Sequence, residues 1–553
     1  MLPVVRVFCH AVFLCTSFVV ARFPASAAHA ASSPPTLTLV PPLPVVATLA
    51  PQQQDAAGSA TERQSDLVIL HINDFHGQFR PLRGPRPRGG VLALAREVRE
   101  QRRRAVERGA TFWMTDGGDW FQGTPEGNTS KGRLVVDLQR ELGLDFATLG
   151  NHEFDFGSDN VRALVARARH PVLAANVVRK DGIRPPWLRS HVVRTVRGVR
   201  IALIGLVTKD TRVQSTGPFG GFEFEDELDC LTRELPRVAR ESDAVVLLTH
   251  CGFEKDREIA ARFPQVRLIL GGHSHTSLKE PVRVGDTTIV QTGGKASEYY
   301  LVQLRVDATN KTIEIARAVN RALVVETPSD QQTADPGTDE QQGVAHWIQE
   351  HTRDIAAEWD APVGALTRPL EGARGVTVST TAGNLLSDLI REAGSARIGV
   401  MNRGGIRTSL PAGVVTKRDV YELLPFTNDV VSMDLLGGEL RTALSEGLAT
   451  AHRPFEVSGI GYEILEPDTN PRIGKIWLLP EKVELDETMR YRVATNSFLA
   501  GGGDGAHAFT LGTERRRHPV LLRDLLLEAL APRDEEGSPI PVAAPDEPRI
   551  VLR

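Results

Sequence analysis

Five short polar clusters in the sequence contain residue types that can bind metal ions and move protons. These clusters are residues 73–77, 116–119, 150–155, 250 and 271–275. In the third cluster, Asn151 offers an amide oxygen as a metal ligand, His152 an imidazole that can titrate, and Asp155 a carboxylate that can orient this ring. The other clusters add aspartates and histidines that suit the same chemistry.

The spacing of these residues favours a metal centre. Asp74 and His76 are separated by one residue, as are His273 and His275, so that in an extended loop each pair can point the same way. A set this rich in oxygen does not suit a closed structural zinc site and suits a borderline divalent metal with an open position. Seven candidate ligands, enough for two ions if one carboxylate bridges them, are Asp74, His76, Asp119, Asn151, His250, His273 and His275.

Each cluster follows a short apolar run that is typical of a buried strand. These runs are residues 67–72, 111–115, 146–149, 244–249 and 266–270, with a further run at 201–207. Helix-like segments at 91–106 and 160–169 lie between them. The pattern predicts an α/β domain in which helices cover a central sheet. Because such sheets place their sites at the carboxyl ends of the strands, we expect the five clusters to meet at one edge.

The N-terminal segment differs from the rest of the chain. Arg6 precedes an apolar run and then small residues of the Ala-x-Ala type, the arrangement of a signal peptide over residues 1–30. Residues 31–64 are rich in Pro, Ala, Ser and Gln and predict a disordered leader. Later stretches are too short or too polar to cross a bilayer. We therefore expect a mature protein without a membrane span that is periplasmic or secreted.

Length, charge and cysteine content limit the number of domains, the class of partner and the possible disulfide bonds. At 553 residues the chain allows about two to four domains, on a prior of about 150 residues per domain. The net charge of -4 with interspersed arginines gives no basic face, which argues against nucleic-acid polymers as partners. Cys230 and Cys251 remain after loss of the signal segment, and they could pair in an oxidising compartment.

A second domain follows a linker. Apolar residues recur at helical spacing within residues 336–361, which predicts a helix joining two domains. Residues 362–553 hold strand-like runs at 397–401, 430–435 and 491–495 and helix-like runs at 382–393 and 439–451. Arg407 follows a Gly-Gly turn and can bind phosphate, while two phenylalanines, Phe426 and Phe498, can stack on a planar base. Asp504 can accept hydrogen bonds from ribose hydroxyls.

From about Asp66 onward the chain resembles the calcineurin-like metallophosphoesterases, and more narrowly the bacterial and animal 5'-nucleotidase family, which includes the UDP-sugar hydrolases. The resemblance implies a four-layer N-terminal domain over residues 65–335, with two packed sheets flanked by helices, then the linker helix and a smaller α/β C-terminal domain. It implies two divalent ions, Mn, Zn, Co or Fe. One ion is held by Asp74, His76 and His275. The other is held by Asn151, His250 and His273, and Asp119 bridges the two.

The resemblance also implies roles for the remaining residues. His152 stabilises charge or protonates the leaving oxygen, Asp155 holds its ring, and a metal-bound hydroxide is the nucleophile. The substrate-binding residues implied are Asn402, Arg407, Phe426, Phe498 and Asp504. One departure is that Val376 stands where the family carries an arginine. The phosphate clamp is then weaker, reshaped, or completed by Arg374, the nearest arginine and our candidate for this role.

The function that we expect from the sequence is hydrolysis of nucleotides by an exported dimetal phosphohydrolase, acting as a monomer or weak dimer. Because the site is split between domains, we also expect a hinge at the linker helix. Three alternatives share the chemistry: a 2',3'-cyclic-nucleotide phosphodiesterase with 3'-nucleotidase activity, a UDP-sugar hydrolase, and a sulfur-ester hydrolase. An alternative of another class is a non-catalytic nucleoside-binding surface module.

Overall fold

The computed structural model describes residues 65–83, 87–215, 217–325, 339–372, 378–451, 454–467, 469–543 and 545–553. The expected signal peptide, the expected leader and Arg374 lie outside the described residues. All element bounds below refer to the described part of the chain.

The N-terminal domain contains strands that divide between two six-stranded sheets. The first sheet has the order β14-β13-β1-β2-β3-β4 and the second the order β11-β12-β10-β9-β7-β6, with a small sheet formed by β5 and β8. The strands are β1 (Leu67–Ile72), β2 (Thr111–Asp116), β3 (Phe146–Thr148), β4 (Val172–Leu173), β5 (Val177–Arg179), β6 (His191–Val196), β7 (Val199–Val207), β8 (Phe222–Phe224), β9 (Ala244–His250), β10 (Val266–Leu270), β11 (Val282–Val284), β12 (Thr287–Val290), β13 (Glu298–Asp307) and β14 (Thr312–Ala322).

Helices cover the outer faces of both sheets. The helices of this domain are α1 (Val91–Glu107), α2 (Pro125–Thr129), α3 (Arg133–Glu141), α4 (Ser158–Arg167), α5 (Thr211–Gln214), α6 (Glu227–Glu241) and α7 (Phe253–Arg262). Between the sheets, Ile69 and Phe146 of the first pack with Leu203 and Val246 of the second in one buried core. On the outer face of the first sheet, Leu70 is buried in a second core together with apolar residues of α1 and α3. The domain therefore has four layers, as the resemblance predicts.

The apolar runs alone predict a central sheet, whereas the structure has the two sheets that the resemblance implies. β1, β2 and β3 lie in the first sheet, whereas β7, β9 and β10 lie in the second. Apolar runs without alternation show that strands are buried on both faces, but they do not show which strands pair. Both sheets are partly parallel: β1 pairs in parallel with β2, and β9 with both β7 and β10. The carboxyl ends of these strands meet at the same end of the domain.

One long helix leads from the first domain to the second. Helix α8 (Asp339–Trp359) packs Val344, Trp347, Ile348 and Ile355 against the core of the N-terminal domain. The ring of Trp359, its last residue, lies edge-on to Tyr421 of the second domain at 4.7 Å between centroids. The two ends of this helix thus contact different domains.

The C-terminal domain is a smaller α/β unit. Its sheets have the orders β19-β16-β22-β18-β23, β21-β20-β24 and β15-β17. The strands are β15 (Pro362–Leu366), β16 (Ile398–Met401), β17 (Gly413–Thr416), β18 (Asp429–Leu436), β19 (Glu456–Ser458), β20 (Ile460–Leu465), β21 (Arg472–Leu478), β22 (Arg490–Asn496), β23 (Thr513–Leu521) and β24 (Ile550–Leu552). The helices are α9 (Thr381–Ala393), α10 (Lys417–Leu423), α11 (Gly437–Ala451), α12 (Ser497–Ala500) and α13 (Leu522–Leu530).

Two further observations bear on expectations from the sequence. Cys230 and Cys251 are both buried and free, so the pairing that an oxidising compartment could permit is not made. Burial raises the pKa of the Cys230 thiol to about 12, which keeps it in the thiol form. None of the helices described is both long enough and apolar enough to pass through a bilayer.

Candidate metal centre and substrate-binding residues

The seven candidate ligands converge at the strand ends of the N-terminal domain. Asp74, His76 and His275, here called the first ligand group, offer ligand atoms that all lie within 4.8 Å of one another. They come from the loops after β1 and β10, which belong to different sheets. The Nε2 atoms of His76 and His275 are 3.0 Å apart, and Nε2 of His275 is 3.1 Å from Oδ1 of Asp74.

Asn151, His250 and His273 form the second ligand group. The Oδ1 atom of Asn151 lies 3.2 Å from Nε2 of His250 and 3.0 Å from Nδ1 of His273. Asp119 lies between the two groups. Its Oδ2 is 3.2 Å from Nε2 of His250 and 3.9 Å from Nε2 of His76. The ligand atoms of a further set also lie within 4.8 Å of one another, namely those of Asp119, His250 and His273.

Hydrogen bonds on the far side of the rings fix which nitrogen faces the centre. The Nδ1–H of His76 donates to the carbonyl of Gln122 at 2.9 Å, and the Nδ1–H of His250 donates to the carbonyl of Gly117 at 2.7 Å. In these tautomers the lone pair of each Nε2 points at the ligand group. Metal-binding imidazoles are held in this way, by a backbone carbonyl behind the ring.

The donor set fits divalent cations. Oδ1 of Asp74 is buried and lies 3.1 Å from Nε2 of His275, so these two candidate ligand atoms face each other. Burial, followed by the nearby charge of Arg407, holds the pKa of His76 well below its usual value. Burial, followed by the charge of His250, lowers the pKa of His273 to about 3. Burial lowers the pKa of His250, but the charge of Asp119 outweighs burial and raises this pKa to about 10, so a bound cation would take the place of a proton on this ring. Neutral imidazoles and ionised carboxylates that converge with their lone pairs are the ligands that such ions require.

Strained backbone places most of these ligands. Asp74, His76, Asp119, His273 and His275 all have positive φ, between 50° and 80°. Non-glycine residues rarely adopt this conformation, which costs on the order of 1–3 kcal/mol each and clusters at functional sites. A Cβ on Gly150 would lie 2.2 Å from Oδ1 of Asp119, so only glycine fits beside the carboxylate.

Two buried residues hold the ligand-bearing loops in place through hydrogen bonds that the sequence pattern did not predict. Glu153 accepts backbone hydrogen bonds from Gly150 at 2.6 Å and from Asp119 at 3.0 Å, and so joins two ligand-bearing loops. The side-chain amide of Asn73 donates to Oδ2 of Asp74 at 2.7 Å and to the carbonyl of Thr292 at 3.0 Å. Both residues lie within the polar clusters, but their contacts depend on tertiary structure.

His152 and Asp155 form a hydrogen-bonded pair beside the ligand groups. The Nδ1 of His152 lies 2.7 Å from Oδ2 of Asp155, and the backbone N–H of His152 donates to Oδ1 of Asp119 at 2.9 Å. Burial opposes protonation of His152, but the carboxylates of Asp119 and Asp155 outweigh it and raise the pKa of the ring. Its Nε2 is 3.9 Å from Oδ2 of Asp119 and therefore faces the ligand groups.

Two of the predicted substrate-binding residues reach this centre from the C-terminal domain. Nη2 of Arg407 lies 3.2 Å from Nε2 of His76. The ring of Phe426 stacks on His152 at 5.7 Å between centroids and 29° between planes. The guanidinium carbon of Arg407 is 5.8 Å from the centre of the Phe426 ring. A cation and an aromatic face of the second domain thus lie directly over residues of the first.

The other predicted residues lie further along the domain boundary. Asn402 donates to Oδ2 of Asp504 at 2.8 Å and accepts from Asn496 at 2.8 Å. Phe498 lines a cleft of about 520 Å³ whose walls come from both domains, with Asp155 and Ser215 on one side and Asn428 on the other. The structure therefore joins Asn402 to Asp504 and places Phe498 in the cleft.

Sequence comparisons agree with this architecture. Residues 67–277 match the profile of the calcineurin-like phosphoesterases, and residues 362–511 match the profile of the 5'-nucleotidase C-terminal domain. The chain belongs to the calcineurin-like phosphoesterases that carry a 5'-nucleotidase C-terminal domain. With the converging ligand groups, this membership makes it a metal-dependent phosphoester hydrolase.

Relatives of this family cover most of the chain. A protein of Treponema pallidum (strain Nichols) named "Probable 5'-nucleotidase" is 28% identical, over 83% of this chain and 90% of its own length. The 5'-nucleotidase of Vibrio vulnificus (strain CMCP6) is 26% identical, over 90% and 95%. The crystal structure of a 5'-nucleotidase precursor from Thermus thermophilus superposes with a TM-score of 0.77 at 28% identity, covering 88% of this chain and 99% of that one.

Proposed function

We propose that this hydrolase releases phosphate from nucleoside 5'-phosphates at a centre of two divalent metal ions, outside the cytoplasm. The observation that carries the proposal is the meeting of two domains at one point: Arg407 and Phe426 lie against His76 and His152, beside both ligand groups. A phosphoester bound there would have its phosphate near the ligand groups and its organic part toward the second domain. The relatives named 5'-nucleotidases supply the nucleotide as the substrate class.

The first ligand group would hold one ion and the second ligand group the other, with Asp119 shared. When bound, the two ions would supply Lewis acidity for phosphoryl transfer. The residues of the chain support this arrangement because Oδ2 of Asp119 is placed between His250 and His76. Its other oxygen, Oδ1, is engaged by the backbone N–H of His152, which fixes the orientation of the carboxylate.

His152 would deliver a proton to the leaving oxygen of the ester. Its Nδ1 is occupied by Asp155, so the proton that can be transferred is the one on Nε2, the nitrogen that faces the ligand groups. Asp155 keeps the ring in this orientation and stabilises its protonated form. A general acid must lie within hydrogen-bond reach of the leaving oxygen. The substrate would therefore bind with this oxygen next to Nε2 of His152.

Residues of the C-terminal domain would select the substrate. Arg407 provides a guanidinium for the phosphate, since it already lies beside His76 of the first ligand group. Phe498 would stack on the base within the interdomain cleft, and Phe426 would cover the leaving-group side next to His152. Asn402 and Asp504, joined to each other, would bind the ribose hydroxyls. Opening and closing about helix α8 would admit the substrate.

The test follows the products formed by purified protein after removal of metal with a chelator, with free phosphate assayed and nucleotide products separated by chromatography. AMP, ADP, ATP, UDP-glucose, 2',3'-cyclic AMP and 3'-AMP are supplied separately, each with Mn, Zn, Co or Mg. We expect AMP to be hydrolysed fastest and only after metal is restored. Release from no substrate with any metal would overturn the proposed function. Faster cleavage of 2',3'-cyclic AMP or UDP-glucose, whose first hydrolysis yields phosphomonoesters and no free phosphate, would change the assigned substrate and leave metal-assisted hydrolysis in place.

Export is tested separately, by locating the protein in cell fractions and sequencing its N-terminus. We expect a periplasmic or secreted chain that begins after about residue 30, as the signal-peptide pattern predicts. Recovery of the full chain from the cytoplasm alone would contradict export without affecting the hydrolytic proposal.

A further inference from the structure

Gln122 is a buried residue that contacts three parts of the site. It is 4% exposed, follows the loop of Asp119, and has a positive φ of 72°. Its backbone carbonyl accepts from Nδ1 of His76 at 2.9 Å. Its side-chain Nε2 donates to Oδ2 of Asp155 at 2.8 Å, the same oxygen that binds His152. A metal ligand and the His152–Asp155 pair are thus fixed by the same residue.

The orientation of the Gln122 amide follows from its partners. A carboxylate only accepts, so the group facing Asp155 must be the NH₂ group of the amide. The amide oxygen then faces the other way, where it accepts from Nδ2 of Asn128. Asn128 is fixed in turn, because its Oδ1 accepts from the backbone N–H of Gly123 at 3.1 Å. The side-chain amides of Gln122 and Asn128 therefore each have one orientation that satisfies their hydrogen-bond partners.

The chain of hydrogen bonds continues into the second domain. Nδ2 of Asn128 has two hydrogens; one goes to Gln122, and the second points at the carbonyl of Pro425 at 3.4 Å. Pro425 immediately precedes Phe426, whose ring stacks on His152. The C-terminal domain therefore contacts His152 by two routes, directly through Phe426 and indirectly through Pro425, Asn128, Gln122 and Asp155.

We propose that Gln122 is a positioning residue that orients the His152–Asp155 pair and links this orientation to the placement of the C-terminal domain through Asn128 and Pro425. The inference rests on the proposed function, because it takes His152 as the proton donor to the leaving group. Oδ1 of Asp155 is held by the hydroxyl of Ser215 at 2.8 Å. Gln122 holds the other oxygen, so that the carboxylate cannot rotate away from His152.

The test compares substrates that differ in their need for a proton. The alkoxide that leaves from AMP must be protonated, whereas p-nitrophenolate leaves as a stable anion. Gln122→Met keeps the volume and the backbone carbonyl but removes the donor to Asp155. Because small misplacements of a catalytic group can cost about 100-fold, we expect kcat for AMP to fall about 10- to 100-fold. We expect kcat for p-nitrophenyl phosphate to fall much less, and metal content per chain to stay the same.

Gln139→Met is the matched control. Gln139 is also 4% exposed and also donates to a buried carboxylate, Oδ2 of Asp116 at 3.2 Å, but it does not contact the His152–Asp155 pair. We expect its ratio of kcat values for the two substrates to match that of the unmodified protein. A role of Gln122 in stability alone would lower both activities in proportion and leave the same ratio.

The outcomes separate this inference from the function on which it rests. If the unmodified protein hydrolyses neither substrate, the proposed function fails first. If it hydrolyses both and Gln122→Met lowers both equally, the positioning role is wrong. If Gln122→Met does not fold, the same ratio is measured for Asn128→Ala, which removes the next link. For Asn128→Ala we expect a smaller loss than for Gln122→Met, again greater for AMP than for p-nitrophenyl phosphate. An unchanged ratio of the two kcat values would overturn the proposal.

Discussion

The candidate metal ligands are assembled within one domain, whereas the candidate substrate-binding residues of the other domain are distributed along the boundary. Both ligand groups come from strand ends of two sheets that share one buried core. In the C-terminal domain, Arg407 and Phe426 lie over the metal centre, Asn402 is bonded to Asp504, and Phe498 lines the cleft. Under the proposed function, the chemistry would depend on a fixed scaffold, and substrate selection would depend on where the second domain lies.

The boundary contains an ion-pair network centred on a buried pair, Arg418 and Glu126. Arg418, which is 2% exposed, donates to Glu126 of the N-terminal domain at 2.7 Å and to Asp360, just after helix α8, at 2.8 Å. Arg80 forms two hydrogen bonds with Asp360, at 3.1 and 2.8 Å. Such networks fix geometry, because removing one partner leaves a buried charge uncompensated. The contrast between the domains predicts three outcomes: His152→Ala lowers turnover, Arg407→Met lowers activity with every phosphate ester, and Phe498→Ala weakens binding of nucleotides alone.

The largest expected effect is that of His152→Ala. Loss of a general acid removes about 10²- to 10⁴-fold in rate, and we expect kcat for AMP to fall within this range. Metal content should be unchanged, because His152 belongs to neither ligand group. The control is His191→Ala, which removes another histidine bonded to a carboxylate, Glu241 at 3.1 Å. An unchanged kcat for His152→Ala, or a loss of metal, would contradict the division of roles.

A smaller effect is expected for Arg407→Met. Hydrogen bonds to charged groups contribute about 1.5–3 kcal/mol, so kcat/KM should fall about 10- to 100-fold. Because Arg407 is assigned to the phosphate, AMP and p-nitrophenyl phosphate should lose activity alike. Arg397→Met, which breaks an ion pair of the same domain with Glu481, serves as the control. Loss with AMP alone would reassign Arg407 to the nucleoside.

The smallest effect is expected for Phe498→Ala. One face of this ring is packed on Gly503, where an added Cβ would lie 2.5 Å from a ring carbon. Only the other face can stack on a base, so we expect the lower end of base stacking, about 1 kcal/mol or about fivefold in KM for AMP. p-Nitrophenyl phosphate has no base, and its KM should not change. An equal change for both substrates would remove base stacking from the account.

Much of this fold follows from the sequence, because buried strands have a local signature. Residues 67–72 and 266–270 are strands with the bounds that the apolar runs predict, and the other predicted strands differ by one or two residues. That five polar clusters would meet was also predictable, since the carboxyl ends of parallel strands share one edge. The division into two sheets was not, because an apolar run does not identify its partner strand.

The supporting residues were beyond the reach of sequence patterns. Glu153 and Gln122 act through contacts with residues about 30 to 50 positions away, which no local spacing reveals. The positive φ of five candidate ligands is likewise a product of the surrounding structure, which must outweigh the local preference of Asp and His. The roles of the metal ligands, the His152–Asp155 pair and the substrate-binding residues remain predictions.

The most direct test of the two-ion centre is a crystal structure of the full chain with manganese, measured by anomalous scattering at the manganese edge. We predict two anomalous peaks, one among Asp74, His76 and His275 and the other among Asn151, His250 and His273, with Asp119 in contact with both. A single peak, or peaks away from these residues, would contradict the account.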